Sequence, residues 1–148
     1  MLTAATLPLE LLYEQDETAW LETMSVLAAE GRLSELDQRN LAEYLSDMAK
    51  RDRREVMSRL VVLLTHLLKW RQQPEHRTGS WKGTIRDQRR ELRQLFESGT
   101  LRNHAESVLA DAYAEAREQA ADETILDVGH FPATKLWTLD EALEIEIA

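Results

Sequence analysis

The segment from Val56 to Trp70 constrains the fold more than any other, because its apolar residues occupy almost every side of a helix. One apolar stripe contains Val56, Leu60, Leu63, Leu64 and Leu67, and it is widened by Met57, Val61 and Leu68. A helix that is apolar nearly all round is typical of the centre of a bundle. Pro74 ends it, because proline lacks a backbone N–H donor and pushes Gln73 out of the helical region.

Helices are predicted before this central helix, because only five glycines and three prolines interrupt the 148 residues. Runs rich in β-branched residues, which would favour strands, are almost missing. The first helix is capped by Asp16 and stops at Gly31. The second is capped by Ser34 or Asp37, and it continues into the central helix with a kink.

Three helical segments are predicted after the central helix. The fourth helix begins at a Ser80 cap and is closed by Gly99. The fifth helix runs over about residues 101–123. Residues 138–143 form one capped helical turn or two, which Trp137 attaches to the bundle.

These helices predict an all-α fold, a compact and largely up-and-down bundle of four to five helices with a short C-terminal helical turn. Residues 1–148 are expected to form a single domain, with irregular chain at 1–12 and a C-terminal extension at 125–148 packed on the bundle. No membrane span is predicted, because the longest apolar stretch, Leu60 to Leu68, falls short of the roughly 20 residues that a spanning helix requires. The N-terminus has no basic residue before its apolar ones, so it does not resemble a secretory signal.

Cysteine is absent, which excludes disulfides, thiolate metal sites and cysteine nucleophiles. A reducing compartment is compatible with this composition, and the cytoplasm is the expected location. No histidine follows a glutamate by three residues, as the carboxylate-bridged metal pairs of helical bundles require, so no metal site is predicted. No Gly-rich phosphate loop or nucleophile elbow is present, so no cofactor and no catalytic residue is predicted.

Charge is distributed unevenly along a chain whose net charge is −9. Residues 50–93 contain 13 basic and five acidic residues, a local balance of +8, so the remainder carries −17. Such a chain either neutralises itself when its segments pack, or presents a basic face to an acidic partner. The candidate basic face consists of Lys82, Arg86, Arg89, Arg90 and Arg93.

The basic segment 69–93 supports two interpretations. Its cations would track phosphates while Trp70 or Trp81 stacks on bases, which would make the protein a nucleic-acid binder. Against this, both tryptophans lie on apolar stripes, and the acidic fifth helix supplies carboxylates that can pair with the arginines. The favoured interpretation is that these arginines form salt bridges within the protein, and binding of nucleic acid is the alternative.

His66 is the titratable side chain expected nearest to the core. A buried histidine bonded to a carboxylate on another helix, with Glu43 or Asp47 as the partner, accounts for its position. The alternative is an enzyme that uses His66 with a carboxylate from the second helix. The structural interpretation is favoured, because no catalytic motif accompanies the histidine.

Four stretches of the chain are similar to a known family: YEQDETAWLE (13–22), LDQRNLAEYLSDM (36–48), LVVLLTHLLKWRQQPEHRTGSWKGTIRDQRREL (60–92) and YAEAREQAADET (113–124). They resemble the family catalogued as domain of unknown function number twenty-nine, a set of short, all-helical bacterial proteins. The likeness covers nearly the whole chain. It implies a compact helical bundle, and it brings no activity with it.

The resemblance also points to a set of matching polar residues. Members of the family often have two adjacent glutamates in the second helix, where this chain has Glu43 followed by Tyr44. The matching residues form a candidate interhelical polar network of Asp16, Glu43, Arg54, Arg59, His66 and Lys69, together with Arg86 and Arg89. Such a network can hold a bundle in register without any catalytic role. The favoured interpretation is a non-enzymatic protein that binds a protein partner or itself through a helical face.

Overall fold

Helices make up most of the structure, because few residues along the chain interrupt them. The computed structural model describes residues 7–147, and within that range it has six α-helices and no β-strand. The helices are α1 (Leu9–Gln15), α2 (Glu17–Ala29), α3 (Gln38–Gln72), α4 (Gly79–Leu95), α5 (Gly99–Thr124) and α6 (Leu139–Glu144). The predicted all-α bundle and its short C-terminal helix are confirmed.

The chain divides into two compact units, a first unit within Met1–Lys50 and a second unit within Arg51–Ala148. The first unit has a small core around Trp20, which is completely buried. Met24 and Leu27 of α2 and Leu12 of α1 complete this core. Apolar side chains from α1 and α2 thus surround one aromatic ring.

Two aspartates and one glycine define the helix ends in the first unit. Asp16 caps α2 by accepting a hydrogen bond from a backbone N–H of the first turn, as predicted. Gly31 follows α2 with a φ of +72°, a conformation that glycine adopts without steric cost. Asp37 precedes α3 and accepts a hydrogen bond from the backbone N–H of Asn40, and its Oδ2 accepts a second one from the indole N–H of Trp20 at 3.1 Å.

The structure corrects the prediction of irregular chain at residues 1–12. Leu9–Gln15 form α1, which begins directly after Pro8. Leu12 is buried and Leu11 is exposed, so a single apolar face holds this short helix against its neighbours. A helix of seven residues depends on such packing, because isolated helices of this length are not stable in water. Residues 1–6 lie outside the described part of the chain.

The central helix is confirmed, and it extends well beyond its apolar part. α3 runs for 35 residues from Gln38 to Gln72, so the second and third predicted helices are continuous; the kink between them stays a prediction. Its buried residues are Val56, Leu60, Val61, Leu63, Leu64, Thr65, Leu67, Leu68 and Lys69. Pro74 then begins a short 3₁₀ turn, Pro74–His76, so that α3 ends where the sequence predicts.

The ends of α4 differ from the prediction. Thr78, not Ser80, caps α4 by accepting a hydrogen bond from a backbone N–H of its first turn. A capping residue has extended backbone, as Thr78 does at φ −130° and ψ 162°, whereas Ser80 already lies inside the helix. α4 ends at Leu95, before Gly99, and Gly99 is instead the first residue of α5.

The second unit packs α3 closely against α4 and α5. α4 contributes Ile85 and Leu92, both completely buried. α5 contributes a row of alanines without exposed surface, Ala105, Ala112, Ala116 and Ala120. The hydroxyl of Thr65 on α3 donates to the carbonyl of Val61 at 2.6 Å and lies 3.5 Å from the carbonyl of Ala116. Small side chains on α5 permit this close approach of the two helices.

The chain after α5 contributes to the same core. Phe131, Trp137 and Leu143 are buried there with the residues of α3 and α5. Thr138 begins α6 with a capping box, in which its hydroxyl accepts from the N–H of Glu141 and the Glu141 carboxylate accepts from the N–H of Thr138. This end of the chain is therefore anchored both by apolar contacts and by a helix cap.

The helices of residues 7–147 include none that is both long and apolar enough to cross a membrane. α3 supplies residues 38–50 to the first unit and its remaining residues to the second unit. That residues 1–148 form a single domain stays a prediction.

Candidate binding groove

A groove lined by basic side chains runs along α4 in the second unit. α4 contributes Lys82, Arg86, Arg89 and Arg93, which recur at helical spacing beside the buried stripe of the same helix. The opposite wall consists of Leu143, Glu144 and Ile147, from α6 and the residues that follow it. We call this the basic groove.

Two glycines are among the residues that line the basic groove. Gly79 and Gly83 are one turn apart on α4, and both line the groove. A Cβ atom added at either position would meet no atom within 4 Å. The groove has a volume of about 450 Å³, within the size range of ligand pockets, roughly 300–1,000 Å³.

Two arginines of the basic groove bind main-chain carbonyls at the end of α6. Arg89 donates from Nε to the oxygen of Ala142 at 3.0 Å and from Nη2 to the oxygen of Ile145 at 2.8 Å. Arg93 donates from Nη2 to the oxygen of Leu143 at 2.7 Å. The last carbonyls of a helix have no partner inside it, and they carry a partial negative charge that favours cations. These two arginines therefore attach α6 to α4.

The basic groove is not neutralised by α5, in contrast to the interpretation from the sequence. Among the ion pairs within residues 7–147, none includes Lys82, Arg89 or Arg93. Arg86 pairs weakly with Asp87 on its own helix at 3.6 Å, and its side chain is 78% exposed. Arg89 and Arg93 were expected to pair with carboxylates of α5. They bind carbonyl oxygens of α6 instead, because these oxygens lie within hydrogen-bonding distance.

The electrostatics of the basic groove reflect this lack of carboxylate partners. Burial lowers the pKa of the Arg89 guanidinium, and the neighbouring charge of Arg93 lowers it further. Two like charges side by side disfavour each other's charged form, and an anion placed between them would relieve this repulsion. Arg90 is different, because it pairs with Asp87 at 3.3 Å and does not line the groove.

The candidate polar network comes together only in part, within the second unit. Arg59 of α3 binds Glu55 on its own helix at 2.9 Å and the side-chain oxygen of Gln88 on α4 at 3.2 Å. Glu91 of α4 lies 3.8 Å from the same guanidinium. Arg59 thus connects α3 to α4, while Arg54 is exposed on α3.

Lys69 is a buried charge with two partners. Its side chain is 8% exposed, and Nζ lies 3.2 Å from Oε1 of Glu123 on α5. The same ammonium lies 4.7 Å from the ring centroid of Trp81, a distance at which a cation is attracted to the face of an aromatic ring. Lys69 therefore joins α3 to both α4 and α5, and Trp81 contacts this charge.

His66 does not bind a carboxylate of the second predicted helix. Its Nδ1 lies 2.8 Å from the carbonyl oxygen of Val62, one turn earlier on α3, which corrects the predicted bond to Glu43 or Asp47. Burial lowers the pKa of His66 and the charge of Lys69 lowers it further, while the hydrogen bond to Val62 and the charge of Glu123 partly oppose these effects. His66 and Lys69 are thus neighbours whose charged forms compete.

The other two members of the candidate network lie in the first unit. Asp16 is the cap of α2. Glu43 is exposed on α3. The pKa of the Tyr13 phenol is raised mainly by burial, and the negative charge of Glu43 is the second cause. Within residues 7–147, no group of three or more His, Cys, Asp or Glu residues is arranged to hold a metal ion.

The wall of the basic groove opposite α4 is the part of the site that the sequence does not predict. Leu143, Glu144 and Ile147 are about 50 residues away from their partners on α4. The available signals were the Thr138 capping box and the apolar spacing of Leu139 and Leu143, and they indicate a helix without indicating its neighbour.

Comparison with known proteins gives one match, to a family. The family model described as "Domain of unknown function DUF29" matches residues 12–147. No significant match was found among curated proteins or among solved structures. The matched range contains all four groove cations of α4 and the opposite wall up to Ile147.

Proposed function

The chain belongs to the DUF29 family, and from that premise we propose that it is a non-enzymatic interaction protein that binds an acidic polypeptide segment in the basic groove. The observation that carries the proposal is the row of cations along α4 whose members Lys82, Arg89 and Arg93 take part in no ion pair within residues 7–147. An acidic ligand supplies the missing carboxylates.

The arginine contacts support a polypeptide as the ligand. Arg89 and Arg93 use three N–H groups on main-chain carbonyls, which is a way of holding peptide backbone whatever its side chains. Each guanidinium has five N–H donors, so further donors remain for the carboxylates of a second segment. We expect an acidic segment to bind through these remaining donors.

The composition of the groove favours an acidic polypeptide over nucleic acid. Its walls include the apolar side chains of Leu143 and Ile147, which fit aliphatic side chains better than phosphates. Glu144 lines the same groove, and the second unit also exposes the acidic residues Asp111, Glu115, Glu118 and Asp122 of α5. These charges repel a long phosphate backbone, whereas a short acidic segment avoids them.

The proposal is tested by fluorescence anisotropy with a short labelled peptide of alternating glutamate and leucine. The double variant K82E/R86E should weaken binding at least tenfold, because it reverses two exposed charges of the groove without touching the contacts that hold α6. The double variant R53E/R54E carries the same charge change on the exposed surface of α3, and it should bind like the wild type.

Three outcomes contradict the proposal. These are no binding by the wild type, equal loss in both double variants, and tighter binding of a single-stranded oligonucleotide that displaces the peptide. The last result would favour the nucleic-acid interpretation of the basic segment. Sedimentation of the unlabelled protein separates a foreign partner from a second copy, because K82E/R86E would abolish self-association only if a copy of the chain occupies the groove.

A further inference from the structure

A second cavity of the second unit lies between the end of α3 and the chain on both sides of α6. Its floor is apolar, with Leu67 and Trp70 from α3 and Leu136 and Trp137 from the later segment. Leu67 and Trp137 are 2% and 8% exposed, so these two side chains belong to the hydrophobic core. The volume is about 410 Å³, which suits a small organic molecule. We call this cavity the tryptophan pocket.

Two arginines lie at the tryptophan pocket. Arg77 donates from Nε to the carbonyl oxygen of Trp70 at 2.8 Å, and its guanidinium carbon lies 5.0 Å from the centroid of the Trp70 ring. These contacts hold the side chain in place while using one of its five N–H donors. Within residues 7–147, no ion pair includes Arg71 or Arg77. The pocket therefore joins an apolar floor to two guanidinium groups without carboxylate partners.

Arg71 lines the tryptophan pocket together with Trp137, which belongs to an aromatic pair. Tyr113 packs against Trp137 with ring centroids 6.5 Å apart, and the Tyr113 hydroxyl donates to the carbonyl of Pro132 at 2.6 Å. Burial raises the pKa of the Tyr113 phenol, and the positive charges of Arg117 and Arg71 partly oppose this.

We propose that the tryptophan pocket binds a small amphiphilic carboxylate, with its aliphatic or aromatic body against Trp70 and Trp137 and its carboxylate on Arg71 and Arg77. The planar guanidinium fork matches the geometry of a carboxylate, which a point charge such as lysine does not. This inference does not depend on the proposed function, because the tryptophan pocket and the basic groove share only Ile147 and have different cations.

Glu146 also lines the tryptophan pocket. Substitutions there can therefore be chosen to strengthen or to weaken the binding of an anion. The Glu146 carboxylate repels that of a bound ligand. Removing its charge should therefore strengthen binding of an anionic ligand, while removing an arginine should weaken it.

The experiment uses the full chain and a matched pair of ligands, octanoate and octanol, in calorimetric titrations. Octanoate should bind at least tenfold more tightly than octanol. R71Q and R77Q should each weaken octanoate binding several-fold without changing octanol binding, and E146Q should strengthen octanoate binding. R90Q removes an arginine that lines neither the pocket nor the groove, and it should behave like the wild type.

Arg77 also contacts Trp70, so R77Q could disturb the tryptophan as well as remove a charge. R71Q is the comparison, because it removes a charge and leaves that contact intact. Equal affinity for octanoate and octanol would overturn the inference, since it would reduce the pocket to an apolar patch. Absence of octanoate binding, or an E146Q variant that binds it less tightly, would overturn it as well. Quenching or a spectral shift of tryptophan fluorescence on binding should accompany the heat, because two of the four tryptophans line the pocket.

Discussion

Ile125 combines an unfavourable backbone conformation with an exposed apolar side chain. It follows α5 with φ +60° and ψ 15°, in the left-handed region, and its surface is 95% exposed. A side chain with a Cβ in this region costs about 1–2 kcal/mol, and a β-branched one is especially rare there. An exposed isoleucine recovers none of this cost through burial.

Replacing Ile125 by glycine should therefore raise the free energy of unfolding by about 1 kcal/mol. Urea unfolding followed by circular dichroism measures the change. I125A is the matched control, because alanine keeps the Cβ and should recover little of this stability. A glycine variant less stable than the alanine variant would contradict the explanation.

His66 should make the stability depend on pH. Its pKa is lowered in the folded protein by burial and by Lys69, so the unfolded chain takes up a proton first as the pH falls through about 6.5. The unfolded state then binds more protons than the folded state, and the free energy of unfolding decreases as the pH is lowered.

H66Q should remove this part of the pH dependence, because glutamine does not titrate. Unfolding of the wild type and H66Q at a series of pH values near and below 6.5 tests this. The difference in stability between them should shift in favour of H66Q as the pH falls. Parallel pH profiles for the two proteins would show that the histidine does not contribute.

Residue-level predictions from the sequence succeeded where the interaction is local. Asp16 caps α2 as predicted, because a helix cap depends on residues only three positions apart. The acceptor for His66 is also local, on Val62, whereas the sequence analysis predicted a carboxylate on another helix, Glu43 or Asp47. The bond between Trp20 and Asp37 joins residues 17 apart, and it required the turn between α2 and α3 to be known.

At the scale of elements, the contact between α3 and α5 depends on small side chains. Ala112, Ala116 and Ala120 have no exposed surface, and the hydroxyl of Thr65 approaches the backbone of α5. Close-packed interiors leave no room for added methyl groups, so the spacing between these two helices is set by alanine.

A116L should lower the free energy of unfolding by about 1–3 kcal/mol through overpacking. A114L makes the same substitution two residues earlier, at an exposed position of the same helix, and should change stability by less than about 0.5 kcal/mol. Thermal unfolding of the two variants compares them directly. Equal destabilisation would mean that helix propensity, rather than packing, accounts for the loss.

The predicted elements were closest to the structure where apolar spacing and a helix breaker agree. α3 ends at Gln72 because Pro74 follows it. The start of α4 was placed two residues late, because Thr78 and Ser80 are both good capping residues and the backbone decides between them. α1 was missed, because seven residues carry too little periodicity to indicate a helix without its packing partner.

At the scale of the whole molecule, the charge imbalance resolves into two parts. Residues 1–50 contain ten acidic and three basic residues, a balance of −7, and residues 51–148 carry the remaining −2. The basic excess of residues 50–93 is thus largely balanced within the second unit by total charge, although the cations of the basic groove have no carboxylate partners of their own. That local excess is what an acidic ligand would meet.

The two units should unfold together, in keeping with the proposal of a single domain. One uninterrupted helix, α3, supplies residues to both units, and helix formation is cooperative along the chain. Hydrogen exchange measured by mass spectrometry should give the same free energy of opening for the slowest amides of both units. A first unit that exchanges at a much lower free energy would show two independent domains.

The sequence by itself determined that the chain is helical, that α3 is its central apolar helix, and that positive charge concentrates along α4. These properties follow from spacing within one segment, which local geometry converts directly into a face. Only the tertiary structure decided that Arg89 and Arg93 bind α6 rather than α5, and that Trp70 and Trp137 line one pocket. Such contacts join residues some 50 or more positions apart, and amphipathic patterns specify that a face is buried without specifying which face covers it.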